Sequence, residues 1–203
     1  MYFSTAASVS GVARSFAMAC SGANTIKVVS RFSGNSNINM YYFDGSSYKF
    51  KVYGDDGKLV GANKVVSVKL NKKTYKVKTN NKGVASLKIP NTVKPDTYTI
   101  TATYAGQTVK NTVKVKQVLT TTKKTVKNSA KKLVLKAMLK NKLKGKVIKF
   151  KFNGKTYKAK TNKKGIAQIT IKKNVINKLK KGKTYAFKVT YVKNTIKSTV
   201  KIK

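Results

Sequence analysis

The sequence predicts an all-β protein made of two tandem copies of one antiparallel β-sandwich. Three observations support this fold class. The chain has 203 residues, enough for two small domains. A long internal repeat divides most of it into two similar parts. Within each copy, apolar and polar residues alternate at a period of two, which is typical of strands that bury one face and expose the other.

The internal repeat is the first of these observations to justify in detail. Val65–Ile89 and Val147–Ile171 are identical at 14 of 25 positions and lie 82 residues apart. After a five-residue insertion in the second copy, Thr97–Tyr104 aligns with Thr184–Tyr191 at an offset of 87. Similarity of this length indicates one structural unit that occurs twice.

The alternation identifies the individual strands. Ile148, Phe150 and Phe152 alternate with lysines, and Asn153-Gly154 follows them as the signature of a tight hairpin turn. Seven short strands of this kind predict a Greek-key β-sandwich. In the second copy they are predicted at Val118–Thr125, Leu133–Leu139, Lys146–Phe152, Lys155–Thr161, Ile166–Ile171, Thr184–Val192 and Thr195–Ile202.

Two segments are less regular. Ser129–Gly145 fits either an amphipathic helix or a strand, and the strand is favoured because its counterpart in the first copy, Tyr48–Val52, alternates clearly. The insertion at Asn174–Lys181 is predicted to form one helical turn. Gly83 and Gly165 each follow the sequence Thr-Asn-x-Lys, and each is predicted to close a hairpin with positive φ.

These elements define the predicted domains. Residues 38–116 form the first repeat, for which Ile38–Phe43 supplies a first strand, and residues 117–203 form the second. Residues 1–37 match neither repeat and are rich in Ser, Ala, Gly and Asn, so we expect a poorly ordered N-terminal segment there.

The charge is extreme. The chain has 46 basic and 4 acidic residues, which gives a formal net charge of +42. Nearly all the basic residues are lysine, since Arg14 and Arg31 are the only arginines. Such a chain should bind polyanions at low salt. The lysine excess fits two interpretations: a solvating surface amplified by the codon preference of an AT-rich genome, or a surface selected to bind polyanions.

No chemistry-bearing motif is present. The sequence has no histidine, and its single cysteine, Cys20, lies in the unassigned N-terminal segment. Asp55 and Asp56 share a glycine-flanked turn, but two acids fall short of the six to eight oxygens that calcium prefers. The sequence therefore predicts a non-enzymatic protein with no catalytic, metal or cofactor-binding residues.

The tyrosines occupy equivalent positions in the two copies. Tyr75 corresponds to Tyr157, and Tyr98 corresponds to Tyr185. Tyrosines between lysines could stack on the bases of a single-stranded nucleic acid. They share the parity of the core residues, however, so a structural role is favoured, with one tyrosine anchoring a corner of the sandwich through its hydroxyl.

A family resemblance rests on the order of several turn and strand motifs. These are Gly54–Ala62, Asn71–Tyr75, Thr79–Ala85 and Pro95–Tyr104. In this order they resemble the bacterial-type immunoglobulin-like (Ig-like) repeats of adhesin-like surface proteins of methanogenic archaea. The resemblance covers residues 38 to 203 and implies two tandem Ig-like antiparallel β-sandwich domains. The second copy departs from it, because Asn141–Gly145 replaces the acidic turn.

The resemblance also implies a function. It points to a structural or adhesive repeat protein of the cell surface, a lysine-coated spacer that contacts anionic wall polymers, glycans, or a host or neighbouring cell surface. We expect an extracellular, monomeric tandem repeat that binds nucleic acid only non-specifically. The sequence contains no run of about 18 apolar residues, so no membrane span is predicted, and no signal peptide is identified. The alternative is a non-specific, chromosome-associated nucleic-acid-binding protein.

Overall fold

The computed structural model describes residues 29–203, and its regular elements are β-strands apart from one short helix. The chain divides into two compact units between Lys116 and Gln117. Residues 29–37 belong to the first unit, since Phe32 is 7% exposed and lies in its core. The expected boundary at residue 38 therefore lies too far along the chain. Cys20 and Arg14 lie outside the described residues.

The first unit contains eight strands in two sheets. They are β1 (Phe32–Ser33), β2 (Ile38–Tyr41), β3 (Ser47–Val52), β4 (Val65–Leu70), β5 (Lys73–Lys78), β6 (Val84–Lys88), β7 (Asp96–Tyr104) and β8 (Gln107–Lys116). The smaller sheet has the order β1-β3-β6 and the larger sheet the order β2-β8-β7-β4-β5. All neighbours are antiparallel except β2 and β8, which are parallel.

The second unit repeats this arrangement. Its elements are β9 (Leu119–Thr121), β10 (Lys124–Val126), β11 (Lys132–Leu139), β12 (Val147–Phe152), β13 (Lys155–Lys160), β14 (Ile166–Lys172), α1 (Lys173–Ile176), β15 (Thr184–Tyr191) and β16 (Asn194–Ile202). The sheets have the orders β14-β11-β9 and β10-β16-β15-β12-β13. Two facing sheets with this order form an Ig-like sandwich, as the sequence predicts.

The core of each unit comes from the inward parity of the strands. In the second unit, Ile148, Phe150 and Phe152 of β12 are at most 1% exposed, as is Phe187 of β15. Burial of such side chains stabilises each unit by roughly 1.5–3 kcal/mol per residue relative to exposure. The ambiguous segment 129–145 contains strand β11, so the strand interpretation is confirmed. A one-turn helix is present as expected, but α1 (Lys173–Ile176) begins one residue before the predicted segment Asn174–Lys181 and ends within it.

The prediction that the second copy begins with a single strand is wrong. Val118–Thr125 divides into β9, which pairs with β11, and β10, which pairs in parallel with β16. The chain changes sheets at Thr122 and Lys123. A change of sheet leaves no signature in a polar segment, because neither half is long enough to show a period.

The repeated Thr-Asn-x-Lys-Gly motif forms a turn, but the turn does not close a hairpin. Gly165 has φ of +74° as expected, yet the strands beside it, β13 and β14, lie in different sheets. The Asn162 side chain accepts hydrogen bonds from the backbone N–H groups of Lys164 at 2.9 Å and Ile166 at 3.0 Å. Asn80 makes the same two contacts in the first unit. The motif therefore carries the chain from one sheet to the other.

The threonine of the same motif anchors the turn to the sandwich. Thr161 is 4% exposed, its hydroxyl donates to the Leu143 carbonyl, and it accepts from the Lys146 N–H at 2.9 Å. Thr79 makes equivalent contacts in the first unit. Because these bonds satisfy a buried hydroxyl, the motif is a structural requirement of the fold.

Candidate functional site

The charge is divided unevenly between the two units. Residues 117–203 contain 28 lysines and no arginine or acidic residue, so they carry +28 of the total +42. The remaining +14 belongs to residues 1–116, which contain all four aspartates. A site for an anionic partner is therefore expected on the second unit.

The larger sheet of the second unit presents a lysine-rich outward face. Strand alternation directs Phe150 into the core and directs Lys149 and Lys151 outward on the same strand. The edge strand β13 and the strands β15 and β16 add further exposed lysines at the same parity. We call this surface the lysine face, and its lysines are Lys149, Lys151, Lys158, Lys160, Lys188, Lys197 and Lys201.

The strand register places several of these lysines directly opposite one another. Lys151 of β12 pairs with Lys188 of β15, and Lys188 pairs in turn with Lys197 of β16. These three residues form a row across three adjacent strands, which we call the central row. Beside it, Lys149 pairs with Lys158 of β13.

The central row is unfavourable for folding. Adjacent strands lie about 4.8 Å apart, and residues on one face of a strand repeat at about 6.8 Å. Like charges directly opposite each other on antiparallel strands are destabilising. No acidic side chain is available within the unit to neutralise them. The face is therefore a concentrated positive surface whose natural complement is an external anion.

The same face of the first unit is less basic. The row equivalent to the central row reads Lys69, Thr101 and Lys110, so a threonine separates the two lysines. Ser67 occupies the position of Lys149. A pair of threonine hydroxyls is common to both units, at 3.0 Å between Thr103 and Thr108 in the first unit and at 2.9 Å between their counterparts in the second.

The smaller sheet of the second unit is also less basic. Its outward face contains Lys132, Lys136 and Lys172 together with apolar side chains such as Val134 and Met138. A shallow groove of about 250 Å³ lies beside Met138 at the edge of this sheet. The lysine residues of the chain therefore form a coat that is densest on the lysine face.

The tyrosines have structural positions. The Tyr98 hydroxyl donates to the Lys94 carbonyl at 3.0 Å, and the Tyr185 hydroxyl accepts from the Lys180 N–H at 2.8 Å. Each bond ties the start of a strand to the chain just before it, as in the corner of an Ig-like domain. Burial raises the pKa of Tyr98, and the nearby Asp96 and Tyr42 raise it further. Tyr157 lies on the inward parity of β13, so it is not on the lysine face.

The acidic residues act locally in the first unit. Asp55 forms a salt bridge with Arg31. Asp56 accepts a hydrogen bond from the Lys58 N–H at 3.0 Å, and Asp96 accepts one from the Thr97 N–H at 2.7 Å. Within residues 29–203, no group of three or more metal-ligating side chains is found. In the same part of the chain, no helix is long and apolar enough to cross a bilayer.

The geometry defines a class of protein: a tandem of two Ig-like β-sandwiches. No family model matches the chain, and no curated protein sequence matches it either. Among solved structures, the chain is similar to the I9–I11 tandem from titin, with 15% identity, a TM-score of 0.44, and coverage of 83% of this chain and 64% of that one.

Two bacterial structures are also similar. A Ca²⁺-stabilised adhesin that helps an Antarctic bacterium bind ice has 14% identity, a TM-score of 0.30, and coverage of 85% of this chain and 48% of that one. SGBP-B from the mixed-linkage glucan utilization locus of Bacteroides ovatus, in complex with a mixed-linkage heptasaccharide, has 15% identity, a TM-score of 0.30, and coverage of 87% of this chain and 45% of that one. The chain thus spans less than two thirds of the length of each of these three proteins.

Proposed function

We propose that this protein is a structural and adhesive tandem-repeat protein of the cell surface, in which lysine-coated Ig-like units contact anionic polymers. The observation that carries the proposal is the lysine face. It concentrates positive charge on one sheet of a unit that has no acidic residue of its own. The resemblance of residues 38–203 to adhesin-like repeats of methanogenic archaea agrees with this role.

The type of partner follows from the chemistry of the face. Lysine ammonium groups are compact charges on flexible stems, whereas bidentate recognition of a particular phosphate or base favours arginine. The second unit has no arginine. An open sheet face with many exposed ammonium groups suits a repeating anionic chain, such as a wall polymer or an acidic glycan.

Nucleic acid fits the same face less well. Sequence-tolerant binding of single strands uses aromatic side chains on which bases stack. The outward parity of β12, β13, β15 and β16 contains no aromatic residue. Duplex DNA should therefore bind only through its phosphates, in a manner that is blind to sequence and sensitive to salt.

The mechanical part of the proposal rests on the folds themselves. Each unit is a sandwich with a continuous core and a tyrosine-anchored corner. Such a unit holds its charged faces in a fixed geometry. We propose that the first unit serves mainly as a spacer and that the protein acts outside the cell.

Binding of the full chain to immobilised dextran sulfate, with neutral dextran as the matched control, tests this function. We expect strong binding to the sulfated polymer at 50 mM NaCl, a steep decrease by 300 mM, and no binding to neutral dextran. Equal binding to both polymers would contradict the proposal.

Protease treatment of intact host cells tests the location, and a protein degraded only after lysis would refute a surface role.

Duplex DNA belongs in the same experiment as a competitor. The proposal expects DNA and dextran sulfate of similar charge density to compete comparably at low salt. If one DNA sequence stayed bound at physiological salt while others and dextran sulfate dissociated, the chromosome-associated alternative would replace the adhesive role.

A further inference from the structure

We infer that the lysine face of the second unit is the main contact surface for a linear anionic polysaccharide, and that Lys149 and Lys188 distinguish it from the same face of the first unit. This inference rests on the proposed function and assigns it to one face of one unit. The first unit, by the same argument, lacks the site and acts as the spacer.

The repeat itself identifies the two residues. Most outward positions of the larger sheet have the same type of residue in both units: Lys69 corresponds to Lys151, and Lys110 corresponds to Lys197. Two positions change from a small hydroxyl residue to lysine. Ser67 corresponds to Lys149, and Thr101 corresponds to Lys188.

These two changes lie at the centre of the sheet. Lys188 stands between Lys151 and Lys197 and completes the central row. Lys149 lies next to Lys158 on the neighbouring strand and one outward position from Lys151 on its own strand. Without these two lysines, the remaining ammonium groups are separated by hydroxyl side chains, as on the first unit.

A surface under selection only for solubility would not need this arrangement. Like charges opposite each other reduce the stability of a sheet, and lysines at loops and edges would solubilise the unit equally well. The second unit already has exposed lysines in its loops, such as Lys144 and Lys181. Two additional lysines at the sheet centre therefore indicate that an external anion neutralises them.

The spacing of the ammonium groups selects the partner. Charges repeat at about 4.8 Å across the strands and about 6.8 Å along them. A polysaccharide with one sulfate or carboxylate on each sugar presents charges at a similar interval, so it can pair with the central row one group at a time. Because the face is the outer surface of a sheet, a single anionic sugar gains few contacts. We expect the affinity to rise steeply with chain length.

The repeat provides the substitutions that test this inference. In the full chain, K149S/K188T gives the second unit the residues of the first, and S67K/T101K does the reverse. K132S/K172T is the matched control, because this pair of lysines is also directly opposite, on β11 and β14, but belongs to the smaller sheet. Each variant contains only residue types that the sheets already hold at exposed positions, and circular dichroism and thermal unfolding verify its fold.

Binding is measured with sulfated and carboxylated polymers, namely dextran sulfate and polygalacturonate, and with dextran sulfate fragments of increasing length. We expect K149S/K188T to weaken binding roughly fivefold or more at 50 mM NaCl and to reduce the salt slope by up to about two. S67K/T101K should strengthen binding. K132S/K172T should change the affinity less than twofold, because these two lysines belong to the other sheet and lie outside the lysine face.

The outcomes separate the inference from the proposed function. If the parent chain binds both polymers but K149S/K188T and K132S/K172T weaken binding equally, the coat is diffuse and the inference is wrong, while the adhesive function stands. If the parent chain binds neither polymer, the proposed function is wrong. Stronger binding to dextran sulfate than to polygalacturonate would identify sulfate as the preferred group, and the reverse would identify carboxylate.

Discussion

Gly165 and Gly145 have the same φ angle but different surroundings. Both have φ of +74°, a value that β-carbons disfavour. A Cβ atom on Gly165 would lie 2.6 Å from the Leu139 carbonyl oxygen and 2.8 Å from Lys142 Cα, whereas nothing lies within 4 Å of the equivalent atom on Gly145. The pair therefore separates backbone strain from steric exclusion.

We predict that Gly145→Ala costs about 1 kcal/mol of unfolding free energy, from strain alone. Gly165→Ala should cost about 3 kcal/mol or more, because the contacting atoms are backbone atoms that cannot move aside. Chemical denaturation of the full chain measures both values. Equal losses for the two variants would show that the turn around Gly165 is not packed against Leu139 and Lys142.

Tyr48 is the most deeply buried tyrosine of the described residues, at 1% exposure. Its hydroxyl donates to Asn111 Oδ1 at 2.7 Å, and Asn35 Nδ2 donates to the same oxygen at 2.9 Å. Burial raises the pKa of Tyr48 to about 12. The folded state therefore keeps a proton that the unfolded chain releases above about pH 10.

We predict that the unfolding free energy of the Tyr48→Phe variant depends less on pH than that of the parent protein. Below pH 10 the variant should be less stable by about 1 kcal/mol, from the lost hydrogen bond. Between pH 10 and 12 the parent protein should lose up to roughly 2–3 kcal/mol relative to the variant. Denaturation of both proteins at each pH cancels the titration of the lysines. Parallel stability curves across this interval would contradict the prediction.

The two-residue turns show how the same element tolerates different sequences. Asn153 and Gly154 have φ of +45° and +76°, the geometry that the Asn-Gly pair predicts for a hairpin. The corresponding residues of the first unit, Asn71 and Lys72, have φ of +48° and +63°. Lys72 thus occupies a left-handed conformation that glycine adopts without strain.

We predict that Lys72→Gly stabilises the first unit by about 0.5–1 kcal/mol, and that Gly154→Lys destabilises the second by a similar amount. Lys73→Gly, at the first residue of β5, is the control and should destabilise, because glycine is disfavoured in strands. Thermal unfolding provides the measurement. Destabilisation by Lys72→Gly would mean that the turn in the first unit has another geometry.

These elements also show what the sequence can and cannot predict. Alternation in β12 and β15 is strong because each strand has a core face and a solvent face, and this pattern is local. The assignment of β14 to the other sheet is not local. The Asn162 turn uses glycine and asparagine just as a hairpin does, so only the pairing of β14 with β11 distinguishes the two.

The candidate site was predictable only in part. The outward parity of Lys149, Lys151 and Lys188 follows from the alternation, and the structure exposes all three. Their alignment in rows depends on the register of β12 with β15, which no single strand encodes. A comparison of lysine counts between the two copies would have identified the second unit as the more basic.

The whole molecule combines two similar folds with very different charge densities. The second unit holds +28 in 87 residues and must fold against its own repulsion. The first unit, with four aspartates and fewer lysines, experiences less repulsion. Salt screens exposed charges, since the Debye length shortens from about 30 Å at 0.01 M to about 10 Å at 0.1 M. The stability of the two units should therefore respond differently to salt.

We predict that raising NaCl from about 10 mM to about 200 mM increases the Tm of the second unit more than that of the first. Calorimetry of the full chain should resolve two transitions, and Gly165→Ala assigns them, because it lowers only the transition of the second unit.

Dextran sulfate at low salt should raise the Tm of the second unit selectively, since a ligand stabilises the unit that binds it. K149S/K188T should weaken both responses, because it removes two of the mutually repelling charges. Equal shifts of the two transitions with salt would mean that charge repulsion within the second unit does not limit its stability. The lysine face would then have no unfavourable repulsion for a bound polymer to relieve.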